Sequence, residues 1–402
     1  GLRVADGRGR AWLWAGVGGV LLWLFWFKYT GFVLREVGAA FAALGLDPPP
    51  LLEILLPVGI SFYVFQAISY MVDVHRGDAA PARSPLDVLV YLTFFPHIAA
   101  GPIVRAAHFL PQLSSLPDER RIPVVMALLL ILGGLFKKVV LASEIATGVV
   151  DPVFRDPEAH GAADILLASY GYTVQIWCDF SAYSDMAIGV AALLGYHFPK
   201  NFDQPFRATS LSEFWRRWHI SLSTWLRDYL YKPLGGSRGG PRSTARNLML
   251  TMLLGGIWHG ANWTFVLWGA LHGAALVVER YVLGWRERPS SALAAALRWA
   301  VTFHVVVVAF VLFRAPDLAT VGAMVSALVA DAPEVELATP RLLLLVALGL
   351  GLHFLPADLR QRTERLVAGM HPAALGALAG IVLVLVLSAG PEGVAPFIYF
   401  QF

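Results

Sequence analysis

Apolar residues in this chain gather into long runs separated by short basic loops. Crossing a hydrocarbon core of about 30 Å takes ~20 helical residues, and runs of that order occupy residues 11–33, 51–72 and 122–142. Further candidates are 163–177, 247–257, 263–282, 296–313, 342–355 and 373–388. Several are short. Because bare backbone cannot face lipid, short or Gly/Pro-interrupted runs suit re-entrant or tilted helices packed inside protein. The pattern thus predicts an all-α polytopic integral membrane protein with irregular central elements rather than a plain nine-span bundle. Residues 211–231 read differently. Trp215, Trp218, Leu222, Trp225, Leu226 and Tyr229 recur at spacings of three and four, with Glu213, Arg216, Arg217, Arg227 and Asp228 between them. That spacing predicts an amphipathic helix, or a pair of them, at the cytoplasmic interface.

Composition supports lipid as the solvent: 57% of residues are hydrophobic, 15% are charged and the mean hydropathy is +0.62. Loops rich in Lys and Arg stay in the cytoplasm, which places 76–83, 200–246, 280–288 and 360–365 there and the acidic loop 331–336 outside. The aromatic tail 395–402 then falls at the outer interface. Two basic ends at Arg246 and Arg280 require an even number of crossings, so residues 258–263 become the bend of a helical hairpin, with His259 within the membrane or at its far side. The whole chain, 1–402, reads as one transmembrane domain with 200–246 as a basic segment on its cytoplasmic side. It begins at Gly1 rather than methionine, and an N-terminal part is expected to precede it. The net charge of +3 is small and sits in the loops, so nucleic-acid binding has no support. One cysteine leaves no internal disulfide and no Cys-based metal cluster, and no histidine pair has zinc-ligand spacing around a glutamate.

Candidate chemistry lies where histidines sit among tryptophans and charges. An imidazole at the depth of His259, between Trp258 and Gly260, must find partners or line a wet cavity, and ionisable residues inside a membrane mark function. Desolvation disfavours its cation, leaving the neutral form that can take a proton. Gly255, Gly256 and Gly260 would let a substrate approach the backbone; packing of two helices through those glycines is the alternative. For His219 an interfacial anchor, with Trp215 and Trp218 at headgroup depth, explains the same residues. Arg216 and Arg217 on that segment suit the phosphates of a nucleotide-bearing donor. Asp179, Ser181, Tyr183 and Asp185 read as a polar network inside the bundle. Cys178 could be acylated, but the adjacent Asp179 carboxylate opposes thiolate formation, so packing is the better reading. Asn262 and His272 share the hairpin with His259. His272, thirteen positions on, reads as structural, while Gln66, Tyr70 and His97 are candidate tunnel-lining groups.

Four linked stretches carry a resemblance: Phe214-Trp-Arg-Arg-Trp-His-Ile-Ser-Leu-Ser223, Trp258-His-Gly260, the run from Gln175 to Gly189, and the ending Phe397-Ile-Tyr-Phe-Gln-Phe402. Together with 61–73 and 94–102 they resemble the membrane-bound O-acyltransferase family, most nearly its bacterial branch containing the membrane subunit of the alginate O-acetylation machinery. The resemblance spans nearly the whole chain in order. It implies a ring of tilted transmembrane and re-entrant helices around a central tunnel, in a multi-pass protein of the bacterial cytoplasmic membrane. Family members usually carry additional N-terminal helices, which this chain is expected to lack.

The implied activity is transfer of an acetyl group from a cytoplasmic donor, acetyl-CoA, to a hydroxyl presented from the other side, with no permanently bound cofactor or metal. His259 and His219 are the implied catalytic residues: His259 as general base, a role worth ~10²- to 10⁴-fold, and His219 positioning the donor or polarising its carbonyl. Trp215, Trp218, Arg216, Arg217, Trp258, Asn262, Asp179 and Tyr183 are the candidate substrate-binding residues. The acceptor is a sugar hydroxyl of an exopolysaccharide such as alginate, or an extracytoplasmic SGNH-type acetyltransferase or relay protein. Membrane lipid and a polysaccharide synthase or export machinery are the remaining expected partners. Peptidoglycan acetylation and teichoic-acid D-alanylation are the rival acyl transfers. A transporter or flippase, or a structural subunit of a polymer-export complex, are the rivals without acyl transfer; no internal repeat supports a transporter.

Overall fold

The computed structural model describes residues 7–52, 54–98, 100–285, 289–330, 337–356 and 358–390. The acidic loop 331–336, the tail 395–402 and the ending 397–402 that entered the resemblance lie outside them. All regular structure among the described residues is helical. Four helices among them are long and apolar enough to cross a membrane: Gly9–Lys28, Val124–Arg155, Ala292–Arg314 and Pro372–Ala389.

The other apolar runs also form helices, and protein covers one of them along most of its length. Ala162–Leu193 is the central one, 32 residues long, with most side chains from Ile165 to Ala192 buried. Helices Val124–Leu135, Ala292–Arg314 and Pro340–Gly351 pack around it. Because protein surrounds it, this helix can carry Gln175, Asp179, Ser181 and Ser184 in its buried face, which is why its hydropathy looks weak for a span. The run at 122–142 continues to Arg155 through two π-helical stretches, Phe136–Ala142 and Ala146–Val150. Lys137 and Lys138, inside the run 122–142, are neutralised in place. Lys137 Nζ lies 2.6 Å from Asp185 and Lys138 Nζ lies 2.7 Å from Asp179 of the central helix. Charges withdrawn from water in this way, fully at Asp179 and in part at Asp185, persist where each meets its opposite.

Two further boundaries move. The run 11–33 divides at Tyr29 into helices Gly7–Lys28 and Thr30–Ala43. The run 51–72 becomes helix Ile60–Arg76, which starts at Gly59 with φ of 76°, a left-handed position where a side chain would also strike the Ile98 carbonyl. The predicted hairpin at 258–263 is present: helix Gly240–His259 ends at the histidine, and helix Trp263–Tyr281 begins after the Asn262 side chain caps it through Thr264 N at 3.1 Å. The two helices close tightly because Gly256 faces the Phe265 carbonyl and the backbone of Gly269, where a Cβ has no room.

Candidate active site

The segment 211–231 is not one surface helix. Helix Leu211–Arg217 and helix Ile220–Leu226 are separated at Trp218 and His219. Leu211, Phe214, Trp218, Leu222, Trp225 and Leu226 are buried, so the aromatics of this segment turn into the protein instead of anchoring it at headgroup depth. Trp225 stacks flat on Phe65 with ring centroids 3.8 Å apart and donates its Nε1–H to the Phe65 carbonyl at 2.9 Å. Glu279, from the second helix of the hairpin, accepts from the main-chain N–H groups of Leu211 and Ser212 and from the Ser212 hydroxyl, so a carboxylate caps the first short helix.

His219 sits at the break with φ of 39°, one of two non-glycine residues with positive φ among the described residues. Such a conformation costs roughly 1–3 kcal/mol and persists where the surroundings over-determine it. Here residues 201–203 run beside the break. Asp203 N–H bonds to the Arg217 carbonyl and Ile220 N–H to the Asn201 carbonyl, each at 2.8 Å. The imidazole is 0% exposed and lies among Phe62, Phe180 and Phe202. Its Nδ1 is 3.2 Å from Asn201 Oδ1.

His259, 7% exposed, closes the other helix. Its ring meets Trp268 and Phe313 edge to face, each with centroids 5.0 Å apart. Phe62 bridges the two sites, packing against His219 on one side and Trp258 on the other. Lys28 Nζ donates to the Trp258 carbonyl at 2.5 Å and to Ser61 Oγ at 3.1 Å, and Tyr29 donates to the Ile257 carbonyl at 2.9 Å. A cation and a hydroxyl thereby cap the carbonyl end of the histidine helix, the end that carries partial negative charge. The antiparallel hairpin is what brings His272 in. Trp268 touches both His259 and His272, the latter with centroids 4.7 Å apart. His272 is fully buried.

The remaining candidates separate. Trp215 stacks edge-on to His272 and Trp218 packs on Phe310. Trp258 stacks on Phe65 at 4.7 Å, beside His259. Asn262 is engaged at both ends, by Thr264 N–H and by the Pro316 carbonyl. Asp179 is paired with Lys138, and Tyr183 lies half-buried on the same helix. Gln66 and His97 meet each other at 2.9 Å, away from His219 and His259 in the contacts they make. His353 is buried against Trp177 and Phe206.

Arg216 and Arg217 line a cavity of about 620 Å³ together with Ser212, Glu279, Arg280 and Arg298. Its carboxylates are committed: Glu279 to the helix cap, Glu213 to Arg217, and Asp203 to Lys200 and Arg217. Burial works against the ionisation of Glu213, yet the Thr209 N–H and Arg217 hold its carboxyl below the usual range. Arg216 is exposed and has no carboxylate partner among the described residues. A larger cavity, about 790 Å³, lies between Gln112 and Lys200 and contains neither His219 nor His259 in its lining.

A profile described as MBOAT, membrane-bound O-acyltransferase family, matches residues 79–315, which contain both histidines, the broken segment and the hairpin. The chain belongs to this family. It is 45% identical over 319 residues to a protein named probable alginate O-acetylase AlgI of Pseudomonas syringae pv. tomato, covering 79% of this chain and 60% of that relative. The protein of the same name in Pseudomonas aeruginosa is 43% identical over 338 residues, covering 82% of this chain and 63% of the relative. A peptidoglycan O-acetyltransferase of Helicobacter pylori is 35% identical over 335 residues, covering 77% and 63%. The chain therefore spans a little over 60% of the length of these relatives.

The hairpin was legible in the sequence, whereas Asn201, Lys28 and Glu279, whose side chains contact His219 or the ends of the helices beside the two histidines, were not among the candidates named there. Each of the three acts across a long separation in the chain, and none stands in a motif. The one available signal is Lys28 itself, a lone charge within the apolar run 11–33.

Proposed function

We propose that the chain is the catalytic region of a membrane O-acyltransferase that moves an acetyl group from a cytoplasmic donor towards an extracytoplasmic hydroxyl, for O-acetylation of an exopolysaccharide such as alginate. Two buried imidazoles, His219 packed on Phe62 and His259 beside the Trp258 that packs on the same phenylalanine, are the observation that carries the reading. The names of the alginate O-acetylase relatives support the polymer, and the peptidoglycan O-acetyltransferase relative supports the same chemistry on another glycan. The protein acts in the bacterial cytoplasmic membrane, its helices ringed around a tunnel that leads to the histidines.

Acetyl-CoA is the donor in this reading. Its phosphates bind at the cavity holding Arg216, Arg217, Arg280 and Arg298, since guanidinium groups pair phosphate oxygens in bidentate fashion. The acceptor oxygen attacks the thioester carbonyl as its proton passes to an imidazole. The C–S bond then breaks, and the leaving thiolate recovers that proton as free thiol. The acceptor hydroxyl belongs to the polymer or to an extracytoplasmic SGNH-type or relay protein, working beside a polysaccharide synthase or export machinery.

The test is acetyl transfer from labelled acetyl-CoA in membranes holding the full-length protein and its neighbours, with His219→Gln and His259→Gln at matched expression. Loss of label below a hundredth of the parent in both variants is expected, and the fraction that carries label in the parent identifies the acceptor. Full transfer by either variant would remove that histidine from the chemistry.

A further inference from the structure

The cavity of about 620 Å³ beside helix Leu211–Arg217 offers donors that the protein leaves without acceptors. Its carboxylates are engaged by the protein itself: Glu279 by the helix cap, Glu213 by Arg217 and the Thr209 N–H, and Asp203 by Lys200 and Arg217. Its hydroxyls are engaged too. Ser212 donates to Glu279, Thr209 donates to Glu213, and Ser210 accepts from the Glu213 N–H. Two guanidinium groups are left over. Arg216 is exposed and Arg280 half-buried, and neither has a carboxylate partner among the described residues. Arg280 reaches the Ser237 hydroxyl at 3.3 Å, while its buried Nε meets no acceptor among those residues.

An aromatic ring completes the wall. Gly284, with φ of 62°, takes the left-handed turn that folds the chain back past the end of helix Trp263–Tyr281. The Trp285 N–H then bonds to the Glu279 carbonyl at 3.1 Å, which sets the indole beside the cavity. The Arg298 guanidinium lies over that ring, 5.2 Å from its centroid. Trp285 is only half-buried, so a flat group can stack on it from the cavity. A ligand with phosphates at two places and a base between guanidinium groups and an indole satisfies all of these groups together. Guanidinium groups pair phosphate oxygens in bidentate fashion, and every nucleobase has a face that stacks on an aromatic side chain.

We infer that this cavity reads the 3′-phosphoadenosine end of free coenzyme A, with adenine against Trp285 and the phosphates on the two sides of the ribose against Arg216 and Arg280. The inference rests on the acyltransferase reading and sharpens it, because it makes free coenzyme A, not an acylated carrier protein, the donor. A carrier protein presents its acyl group on a single phosphodiester with no base, which would leave Trp285 and one guanidinium group unmet. A lipid headgroup brings a phosphate to basic pockets of this kind, again without a base.

The experiment measures equilibrium binding to the full-length protein in lipid nanodiscs, with coenzyme A, dephospho-coenzyme A, adenosine 3′,5′-bisphosphate and short-chain phosphatidylglycerol as probes. The parent is expected to bind coenzyme A at least ~10-fold tighter than dephospho-coenzyme A, which lacks only the 3′-phosphate. At least one of Arg216→Gln and Arg280→Gln should narrow that ratio to about threefold. Trp285→Leu should weaken adenosine 3′,5′-bisphosphate ~10-fold or more, whereas Trp285→Phe keeps a ring and should stay within about threefold of the parent. Arg362→Gln, which removes an exposed arginine outside the cavity, should bind as the parent does. Equal binding of coenzyme A and dephospho-coenzyme A by the parent, a ratio that survives both arginine variants, or undiminished binding by Trp285→Leu overturns the inference. So does phosphatidylglycerol that displaces the nucleotide and loses its own binding in Arg216→Gln, which would give the cavity to a lipid. Binding needs no turnover, so the inference and the reaction fail separately. Acetyl transfer without this binding pattern overturns the inference alone, and the pattern in a protein that transfers no acetyl group supports the inference while refuting the reaction.

Discussion

Glu279→Ala removes the carboxylate that caps helix Leu211–Arg217 from the neighbouring hairpin. Three donors lose their acceptor: the N–H groups of Leu211 and Ser212 and the Ser212 hydroxyl. Hydrogen bonds to a charged group contribute ~1.5–3 kcal/mol each, and a buried donor left alone costs ~1–3 kcal/mol. Leu211 is buried and cannot recruit water easily, whereas Ser212 is half-buried and can. Discounting the Ser212 donors for that access, and not adding the terms in full, gives a loss of about 3–5 kcal/mol for Glu279→Ala. Glu279→Gln keeps one acceptor oxygen and turns an NH₂ towards a donor, for about 1–3 kcal/mol. Reversible denaturation in mixed micelles, followed by tryptophan fluorescence, reads both values. Ser212→Ala in the Glu279→Ala background should cost much less than in the parent, because the bond it breaks is already gone. A Glu279→Ala loss under about 1 kcal/mol would refute the capping argument.

Other perturbations test the rest of the site. Gly256→Ala places a Cβ against the Phe265 carbonyl and the Gly269 backbone, neither of which can swing aside; a loss near the upper end of ~1–3 kcal/mol is expected by the same denaturation, with acetyl transfer falling as His259 is displaced. Lys28→Met keeps the aliphatic stem but strands the Trp258 carbonyl, so kcat should fall ~10-fold or more while Lys28→Arg recovers most of it, a pattern that a purely steric role for the stem does not produce. Burial opposes ionisation of Asp228, yet Arg227 and Lys232 hold its carboxyl down to about 2. Since that lies below an unfolded value of about 3.9, its contribution to stability is full above pH ~4 and fades as pH falls towards 2. Between pH 5 and 3 the midpoint of denaturation should drop less steeply in Asp228→Asn than in the parent, and the difference should shrink in high salt.

The long apolar runs and the basic loops were enough to read an all-helical membrane protein, because a run of some twenty apolar residues has few other stable states. The hairpin at 258–263 was legible for the same reason, from two basic ends and a Gly-rich bend. His219 and His259 could be named because they stand inside long linked motifs. What the pattern could not show was any relation between residues far apart in the chain. Periodicity at 211–231 marked which side chains share a face, yet not whether that face meets lipid or protein; the packing of Trp225 on Phe65 answered it. The carboxylates of the central helix are tolerable because Lys137 and Lys138 arrive from another helix, and nothing in the order of the chain pairs those lysines with Asp185 and Asp179. Asn201 lies eighteen positions before His219, and a hydrogen bond across that separation depends on how the chain returns past the break. Buried polar groups must be paired, but the chain's order does not name the partner, and only the packed bundle does.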